Sequence, residues 1–187
     1  MKRDELGAAL RDYAYLEGDF VLRSGRRSSY YLDKYRFETR PDLLASLGEH
    51  IAAEISEHEP EAVRIAGPEL GAVALAAAAS LSSGVPFLIV RKSAKDYGTS
   101  NRLEGVFEPG ERVCLVEDVV TTGGALIEAL DAVREAGLEC RIAVCVVDRE
   151  EGGADALARL GVRLRSLYRA GELVPAAKTA ANRMFKP

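Results

Sequence analysis

Residues 113–126, with the sequence VCLVEDVVTTGGAL, combine an apolar segment, two adjacent acids and a glycine-rich turn. The apolar and β-branched residues before and after the acids are typical of a buried strand. From about Gly124 to Ala136 the apolar residues recur with the period of a helix. A strand that leads through a short turn into a helix is the building unit of an α/β domain. This stretch therefore predicts an α/β fold.

The turn between this strand and this helix has the composition of a phosphate site. Threonine hydroxyls and glycine N–H groups at a helix N-terminus form a cradle for an anion, and glycine lets the backbone approach it closely. Glu117 and Asp118, directly before the turn, can accept hydrogen bonds from vicinal hydroxyls, so the combination predicts a ribose 5-phosphate site. The turn residues are Thr121, Thr122, Gly123, Gly124 and Ala125. The alternative is a polar junction without a ligand.

Outside this stretch, short apolar segments alternate with amphipathic ones. We predict strands at 62–66, 86–91, 112–117, 140–147 and 163–168, and helices at 42–58, 71–82, 124–136 and 153–160. In the first of these helices one face carries Leu43, Leu44, Leu47, Ile51 and Ile55. Strand–helix alternation with almost wholly apolar strands predicts a central parallel sheet flanked by helices on both faces. Residues 1–40 and the last fifteen break the alternation, so we expect a small cap, or hood, beside a core of about 41–170 in a single domain of residues 1–187.

Composition and motifs exclude several functional classes. The chain has 187 residues, 48% of them hydrophobic and 29% charged, with a net charge of −4 and a pI of about 5.4. This balance is typical of a globular protein and argues against nucleic-acid binding. No apolar stretch is long enough for a membrane span, and the N-terminus has no signal core. GxxxxGK[ST] and GxGxxG are both absent, which excludes a P-loop NTPase and a dinucleotide-binding fold.

Three cysteines bear on the compartment and on metal binding. Cys114, Cys140 and Cys145 lie in apolar segments and have no CxxC spacing, so we interpret them as buried side chains rather than as a disulfide framework or a zinc site. We therefore expect a cytoplasmic protein. His50 and His58 fall on the predicted helix at 42–58, and we interpret them as structural or solvated.

One polar segment interrupts the alternation. Residues 92–105, KSAKDYGTSNRLEG, contain Lys92, Lys95 and Arg102 and show no apolar periodicity. A polar loop of this length within a domain is either a functional lid or a solvated segment, and the composition leaves both alternatives open.

The segment VEDVVTTGG, residues 116–124, resembles the ribose-phosphate signature of type I phosphoribosyltransferases. The resemblance implies that Glu117 and Asp118 contact the ribose hydroxyls of 5-phosphoribosyl-1-pyrophosphate (PRPP). It also implies that residues 121–125 surround the 5-phosphate.

Two further segments resemble the orotate phosphoribosyltransferases within this family. FVLRSGRRSSYYLD, residues 20–33, is similar to the N-terminal segment that lies over the pyrimidine, which implies base contacts for Tyr30 and Tyr31 and a pyrophosphate contact for Arg23. DREEGG, residues 148–153, is similar to a segment that places an arginine, here Arg149, against the orotate carboxylate. A guanidinium suits a carboxylate because it can bind both oxygens.

Two segments that would contact pyrophosphate also resemble this family. RKSAKDYGTSNRLEG, residues 91–105, is similar to its mobile catalytic loop, which implies pyrophosphate contacts for Arg91, Lys92, Lys95 and Tyr97. The resemblance makes Lys92 and Lys95, with Asp118, the candidate catalytic residues. The turn at 67–71, GPELG, resembles the pyrophosphate-binding turn of these enzymes.

The resemblance implies transfer of the phosphoribosyl group to orotate, giving orotidine 5-monophosphate and pyrophosphate, in pyrimidine biosynthesis. It also implies Mg²⁺ as cofactor, held mainly through PRPP rather than by protein ligands, and a homodimer in which loop 92–105 acts on the partner's active site. A phosphoribosyltransferase for another base, such as a purine, and a regulator that senses PRPP are the alternatives.

Overall fold

The structure is a computed structural model that describes residues 1–21, 27–92 and 102–174. The strands are β1 (Tyr15–Val21), β2 (Arg27–Leu32), β3 (Arg64–Pro68), β4 (Phe87–Val90), β5 (Leu103–Glu104), β6 (Val113–Val120), β7 (Ile142–Asp148) and β8 (Arg163–Arg169). The helices are α1 (Arg3–Ala14), α2 (Tyr35–Glu38), α3 (Pro41–His58), α4 (Gly71–Ser83), α5 (Gly124–Glu135), α6 (Gly153–Arg159) and α7 (Ala170–Leu173).

Six strands form the central sheet, in the order β5-β4-β3-β6-β7-β8. All neighbours are parallel except β5, which runs antiparallel to β4 at the sheet edge. The chain passes from β3 outward to β4 on one side and then returns to β6 on the other side of β3. Because the strand order reverses at this point, the carboxyl ends of β3 and β6 border the crevice where open α/β sheets bind ligands.

Both faces of the sheet are covered, as the apolar strands predict. On β6, Cys114 and Val116 pack in the hydrophobic cluster that includes α3 and α4, while Val113 and Leu115 pack in the cluster that includes α5 and α6. The buried residues of α3 include Leu43, Leu47, Ile51 and Ile55, and Leu44 is partly buried. Periodicity thus identified the core face of this helix correctly, and the prediction of a helix-flanked parallel sheet is confirmed.

The first forty residues form a small substructure against one end of the sheet. β1 and β2 pair as an antiparallel hairpin, and Leu6 and Leu10 of α1 join the same cluster as α3. β8 and the segment after it pack onto this substructure, since Tyr168 donates to the carbonyl of Arg3 at 2.6 Å and Arg3 donates to the carboxylate of Glu172 in α7 at 2.6 Å. Residues 175–187 lie outside the described ranges.

Most element boundaries differ from the sequence prediction by one to three residues, and two of the differences concern the site. β6 extends to Val120 rather than ending at residue 117, because Val119 and Val120 pair with Val147 and Asp148 of β7. The acid pair therefore lies inside the strand, not at its end. Within the predicted loop 92–105, Leu103 and Glu104 form the strand β5, which pairs with β4.

The remaining expectations concern single side chains and membranes. All three cysteines are free and buried. His50 is partly buried, and Nε2 of His58 lies 3.5 Å from Oε2 of Glu54 on α3. Within the described ranges, no helix has both the length and the apolar character needed to cross a bilayer.

Candidate active site

A cavity of about 970 Å³ lies at the carboxyl ends of β4, β6 and β7. This volume is in the range of small-molecule sites. The residues that line it are Tyr31, Leu32, Lys34, Lys92, Glu117, Asp118, Val119, Val120, Thr121, Thr122, Gly123, Gly124, Ala125, Leu126, Glu128, Arg149, Glu150, Glu151 and Gly152. The structure thus brings together the acid pair and the glycine-rich turn, which the sequence analysis assigned to PRPP, and Arg149, which it assigned to orotate.

The acid pair is buried and held by specific hydrogen bonds. Glu117 is 7% exposed and Asp118 is 3% exposed. The Oε1 atom of Glu117 accepts from the N–H of Asp118 at 2.9 Å, and Oδ1 of Asp118 accepts from the N–H of Val119 at 2.6 Å. On the other oxygen, Oδ2, Asp118 accepts from the ammonium of Lys34 at 2.5 Å. A buried carboxylate is costly without a partner, and Lys34 provides it.

Lys34 and Glu38 are site residues that sequence reasoning missed. Lys34 precedes α2, and Glu38, the last residue of that helix, is 5% exposed with an Oε1 atom that has no hydrogen-bond partner among the described residues. The motif DKYRFE has neither periodicity nor a glycine turn, so no local signal marks it. A lysine two residues after an amphipathic strand can be recognised as a site residue only once the fold shows that it lies next to the distant acid pair.

The charges of this cluster perturb one another. Burial and the negative charge of Asp118 raise the pKa of Glu38 to about 8, against an opposing effect of Lys34. Burial and Asp118 likewise raise the pKa of Glu117 to about 8. Burial lowers the pKa of Lys34, but the charge and hydrogen bond of Asp118 outweigh it, so that this pKa is raised. Four ionisable groups with perturbed or paired charges lie together here, and three of them, Lys34, Glu117 and Asp118, line the cavity; such a cluster is typical of a functional site.

The glycine-rich turn forms the N-terminus of α5. Gly123 has φ +84°, which favours glycine, and its carbonyl accepts from the N–H of Ile127 at 2.9 Å. The turn packs closely on the next loop, since the N–H of Gly153 donates to the carbonyl of Thr121 at 2.9 Å. A Cβ atom on Gly124 would meet no atom within 4 Å. The helix N-terminus therefore faces open space in the cavity, as an anion site requires.

The turn after β3, residues 67–71, packs against side chains that line the cavity. A Cβ atom on Gly71 would overlap Asp118 Oδ2 and lie 2.6 Å from Lys34 Nζ. The carboxylate of Glu69 accepts from the N–H of Lys92 at 2.8 Å, and the peptide bond between Glu69 and Leu70 is cis. Residues 67–71 do not line the cavity. Their predicted contact with pyrophosphate stays a prediction.

Arg149 lines the cavity at the carboxyl end of β7. Its N–H donates to the carbonyl of Val120 at 2.8 Å, and its side chain is only 9% exposed. Two neighbours orient the guanidinium: Glu151, whose Oε1 lies 3.2 Å from Nε, and the ring of Tyr30, whose centroid lies 5.5 Å from Cζ. A guanidinium fixed in this way can present its other nitrogens to a ligand carboxylate.

The two tyrosines predicted to contact the base are placed differently. Residues of β2 alternate between buried and exposed, so neighbouring side chains point to opposite faces. Tyr31 is 39% exposed and lines the cavity. Tyr30 is 5% exposed and stacks on Tyr15, with ring centroids 5.8 Å apart. Tyr30 therefore supports Arg149 from the core, and its position does not support the predicted base contact.

The cationic segment after β4 is only partly described. Lys92 lines the cavity of its own chain. The side chain of Arg91 does not line it, since its Nη1 lies 3.5 Å from Oε1 of Glu104. Arg23, Lys95 and Tyr97, which the sequence assigned to pyrophosphate, lie outside the described residues.

Comparison with known proteins agrees with this arrangement. Residues 41–159 match the phosphoribosyl transferase domain family. An orotate phosphoribosyltransferase from Methanocella arvoryzae is 51% identical over 84% of this chain and 88% of its own. One from Halobacterium salinarum is 46% identical over 92% of this chain and 97% of its own. The crystal structure of orotate phosphoribosyltransferase from Mycobacterium tuberculosis in complex with Fe(III) dicitrate has a TM-score of 0.82 at 33% identity, covering 92% of this chain and 99% of that chain.

Proposed function

The chain belongs to the orotate phosphoribosyltransferase family, and we propose that it transfers the 5-phosphoribosyl group of PRPP to orotate, giving orotidine 5-monophosphate and pyrophosphate. The reaction is a step of pyrimidine biosynthesis. One observation supports this function most directly: the buried acid pair, the open N-terminus of α5 and the oriented guanidinium of Arg149 line one cavity. These three groups match the diol, the 5-phosphate and the base carboxylate of the two substrates.

The binding mode follows from these charges. The 5-phosphate accepts hydrogen bonds from the turn 121–125 and is stabilised by the N-terminal end of α5. The ribose hydroxyls donate to Glu117 and Asp118. The orotate carboxylate pairs with Arg149, and Tyr31 borders the base. Because both substrates are held at fixed points of one rigid sheet edge, the attacking nitrogen and the ribose C1 are brought into line.

The chemistry needs electrostatic rather than covalent help. The bond from C1 to the pyrophosphate oxygen breaks, its electron pair leaves with pyrophosphate, and a ring nitrogen of orotate forms the new bond to C1. Positive charge develops on the ribose as the bond breaks, and the adjacent carboxylate of Asp118 stabilises it. Lys92, which lines the cavity, and Lys95 are proposed to neutralise the leaving pyrophosphate. The charge of orotate at neutral pH lies on its carboxylate, so the attacking ring nitrogen loses its proton as the new bond to C1 forms. The departing pyrophosphate takes up this proton, and no general base is assigned to the protein.

Mg²⁺ is proposed as the cofactor. In the described part of the chain no group of three or more metal-ligating side chains occurs, so the donor set fits an ion held mainly by the oxygens of PRPP. When bound, Mg²⁺ would reduce the negative charge of the pyrophosphate group.

A homodimer is proposed, with one refinement of the sequence prediction. Lys92 belongs to the cavity of its own chain, because Glu69 holds its backbone N–H. Arg91 does not line that cavity, so we propose that Arg91, Lys95 and Tyr97 act on the partner's active site. The exposed residues Leu70, directly before α4, and Leu81, on α4, support an interface, since they are 72% and 89% exposed and their spacing of eleven places them on the same side of the helix.

The cytoplasm is the proposed compartment. The free, buried cysteines are consistent with a reducing environment.

A turnover assay with several bases tests the function. With Mg²⁺ and PRPP, the protein should consume orotate, seen as a change in ultraviolet absorbance, while adenine, hypoxanthine and uracil react poorly. Chelation of Mg²⁺ should abolish the reaction and added Mg²⁺ restore it. Asp118→Asn is the control for contaminating activity. Turnover of adenine but not orotate would show that the base is wrong, and PRPP binding without turnover of any base would favour a regulator.

A further inference from the structure

Lys34 and Glu38 place two opposite charges next to Asp118 from outside the central sheet. The N–H of Glu38 donates to the carbonyl of Lys34 at 3.0 Å, so the two residues are one helical turn apart and share a face of α2. The ammonium of Lys34 reaches Asp118 Oδ2 at 2.5 Å across 84 positions of sequence. The carboxyl of Glu38 interacts with both Lys34 and Asp118.

Asp118 has little freedom in this setting. One carboxylate oxygen is held by the N–H of Val119 and the other by Lys34. Gly71 closes the side toward α4, since any side chain there would collide with Asp118 and Lys34. The orientation of the carboxylate therefore depends on two donors, and only the one from Lys34 is a side chain that can be replaced.

The charge balance around Asp118 is negative apart from Lys34. The ionisable side chains that face it are Lys34 and Glu38 from the cap, Glu117 on its own strand and Cys145 on β7. Asp33 adds negative charge near Glu38. The other cations that line the cavity, Lys92 and Arg149, form no described ion pair with Asp118. Without Lys34, three buried carboxyl groups would lie together with no cation in contact.

We propose that Lys34 is a positioning residue for Asp118: its ammonium fixes the carboxylate to accept a ribose hydroxyl and balances the negative charge of that carboxylate. The proposal rests on the proposed function for the ribose contact, but it concerns binding of the sugar alone. Lys34 acts through Asp118 and does not need to contact the pyrophosphate.

Binding of ribose 5-phosphate tests this role without turnover. This ligand has the diol and the phosphate but no pyrophosphate, and calorimetry can follow it between pH 5.5 and 8.5. Lys34→Met should weaken binding by about ten-fold at neutral pH, because a charge-assisted hydrogen bond that orients the diol's acceptor is lost. It should also move the acid limb, the pH range in which binding weakens on acidification, upward by about one pH unit or more.

Two further variants separate the effect of the charge at position 34 from the effect of side-chain shape. Lys34→Arg keeps the charge, so its acid limb should stay with that of the wild type even where affinity falls. Burial raises the pKa of Glu38 to about 8, so this side chain is already neutral through the acid limb, and Glu38→Gln in the Lys34→Met background should leave the limb where Lys34→Met places it. Comparing variants with the same ligand cancels the titration of the ligand's own phosphate. Lys2→Met, an exposed site at the start of α1, is the matched control, and thermal unfolding confirms that each variant is folded.

Three outcomes would overturn the proposal. An unchanged acid limb in folded Lys34→Met would show that Lys34 does not balance the acids. A shift in Lys34→Met that Glu38→Gln reverses would show that Lys34 acts on Glu38 rather than on Asp118. Normal binding of ribose 5-phosphate with weakened binding of inorganic pyrophosphate would mean that Lys34 contacts the pyrophosphate directly. None of these depends on which base is used, so they are distinct from failure of the base panel.

Discussion

Replacing Glu38 by glutamine should stabilise the unliganded protein, and increasingly so as the pH rises. Glu38 is 5% exposed, its Oε1 atom has no partner among the described residues, and burial with the charge of Asp118 raises its pKa from 4.5 to about 8. Between these two values the folded state holds a proton that the unfolded state has released. The free energy of unfolding of the wild type therefore falls as pH rises through this window. Glutamine resembles the protonated acid and cannot ionise.

The size of the effect follows from the same shift. At about 1.36 kcal/mol for each pH unit, the separation of the two pKa values sets a ceiling of roughly 5 kcal/mol. Because Glu38, Glu117 and Asp118 share the protons of the cluster, only part of this belongs to Glu38. We expect Glu38→Gln to gain about 1–2 kcal/mol at pH 8, or a few degrees in Tm, and almost nothing at pH 4.5.

The assay is urea or thermal unfolding of wild type and Glu38→Gln at pH 5, 6.5 and 8. Glu135→Gln is the matched control, since Glu135 is exposed on α5 and its change should be within about 0.5 kcal/mol at every pH. A difference between Glu38→Gln and wild type that stays constant with pH would refute the reasoning. So would a loss of stability at pH 8, because it would mean that Glu38 is ionised in the fold and stabilised by Lys34.

Three other changes test the site. Arg149→Ala should raise the KM for orotate about 10- to 100-fold through loss of a charge-assisted contact, with little change in the KM for PRPP; an equal loss for both substrates would make Arg149 structural. Gly71→Ala should weaken PRPP binding and cost about 1–3 kcal/mol of stability, because its Cβ displaces Asp118, whereas Gly171→Ala, where a Cβ meets no atom within 4 Å, should change neither. Refolding inactive Lys95→Ala together with inactive Asp118→Asn should recover activity that neither variant has after refolding alone, because a mixed dimer gathers both lesions in one site; a mixture that stays inactive although tagged subunits exchange would contradict the shared site.

The sequence predicted the sheet and its helices because both depend on local patterns. Apolar strands flanked by helical periodicity are read from neighbouring residues, and so are the acid pair and the glycine-rich turn. The extension of β6 to Val120 was missed because it depends on pairing with β7, which is a tertiary contact. The different roles of Tyr30 and Tyr31 follow from alternation along β2, but the sequence does not say which face of the hairpin borders the cavity.

Lys34 and Glu38 were missed for a more general reason. A lysine and a glutamate one helical turn apart are common on any solvated helix and carry no specific signal. What distinguishes this pair is burial against an acid 84 positions away, and no window of sequence contains both. Charge complementarity over such distances becomes visible only when the fold has placed the partners.

The ion pair between Lys34 and Asp118 also links the cap to the acid pair of the central sheet. Two adjacent acids buried in the central sheet are costly to ionise, and within the sheet their own N–H contacts are the only partners described for them. The cation that compensates Asp118 comes from the segment between β2 and α2, which packs on α3 through Phe37 in the shared hydrophobic cluster. Docking of the cap and compensation of the ribose-binding acid are therefore coupled: a change that loosens the cap also removes the ammonium from Asp118. Substitutions at the apolar contacts of α2 should then weaken binding of the sugar phosphate, although these side chains need not touch it, because the carboxylate of Asp118 loses the donor that orients it.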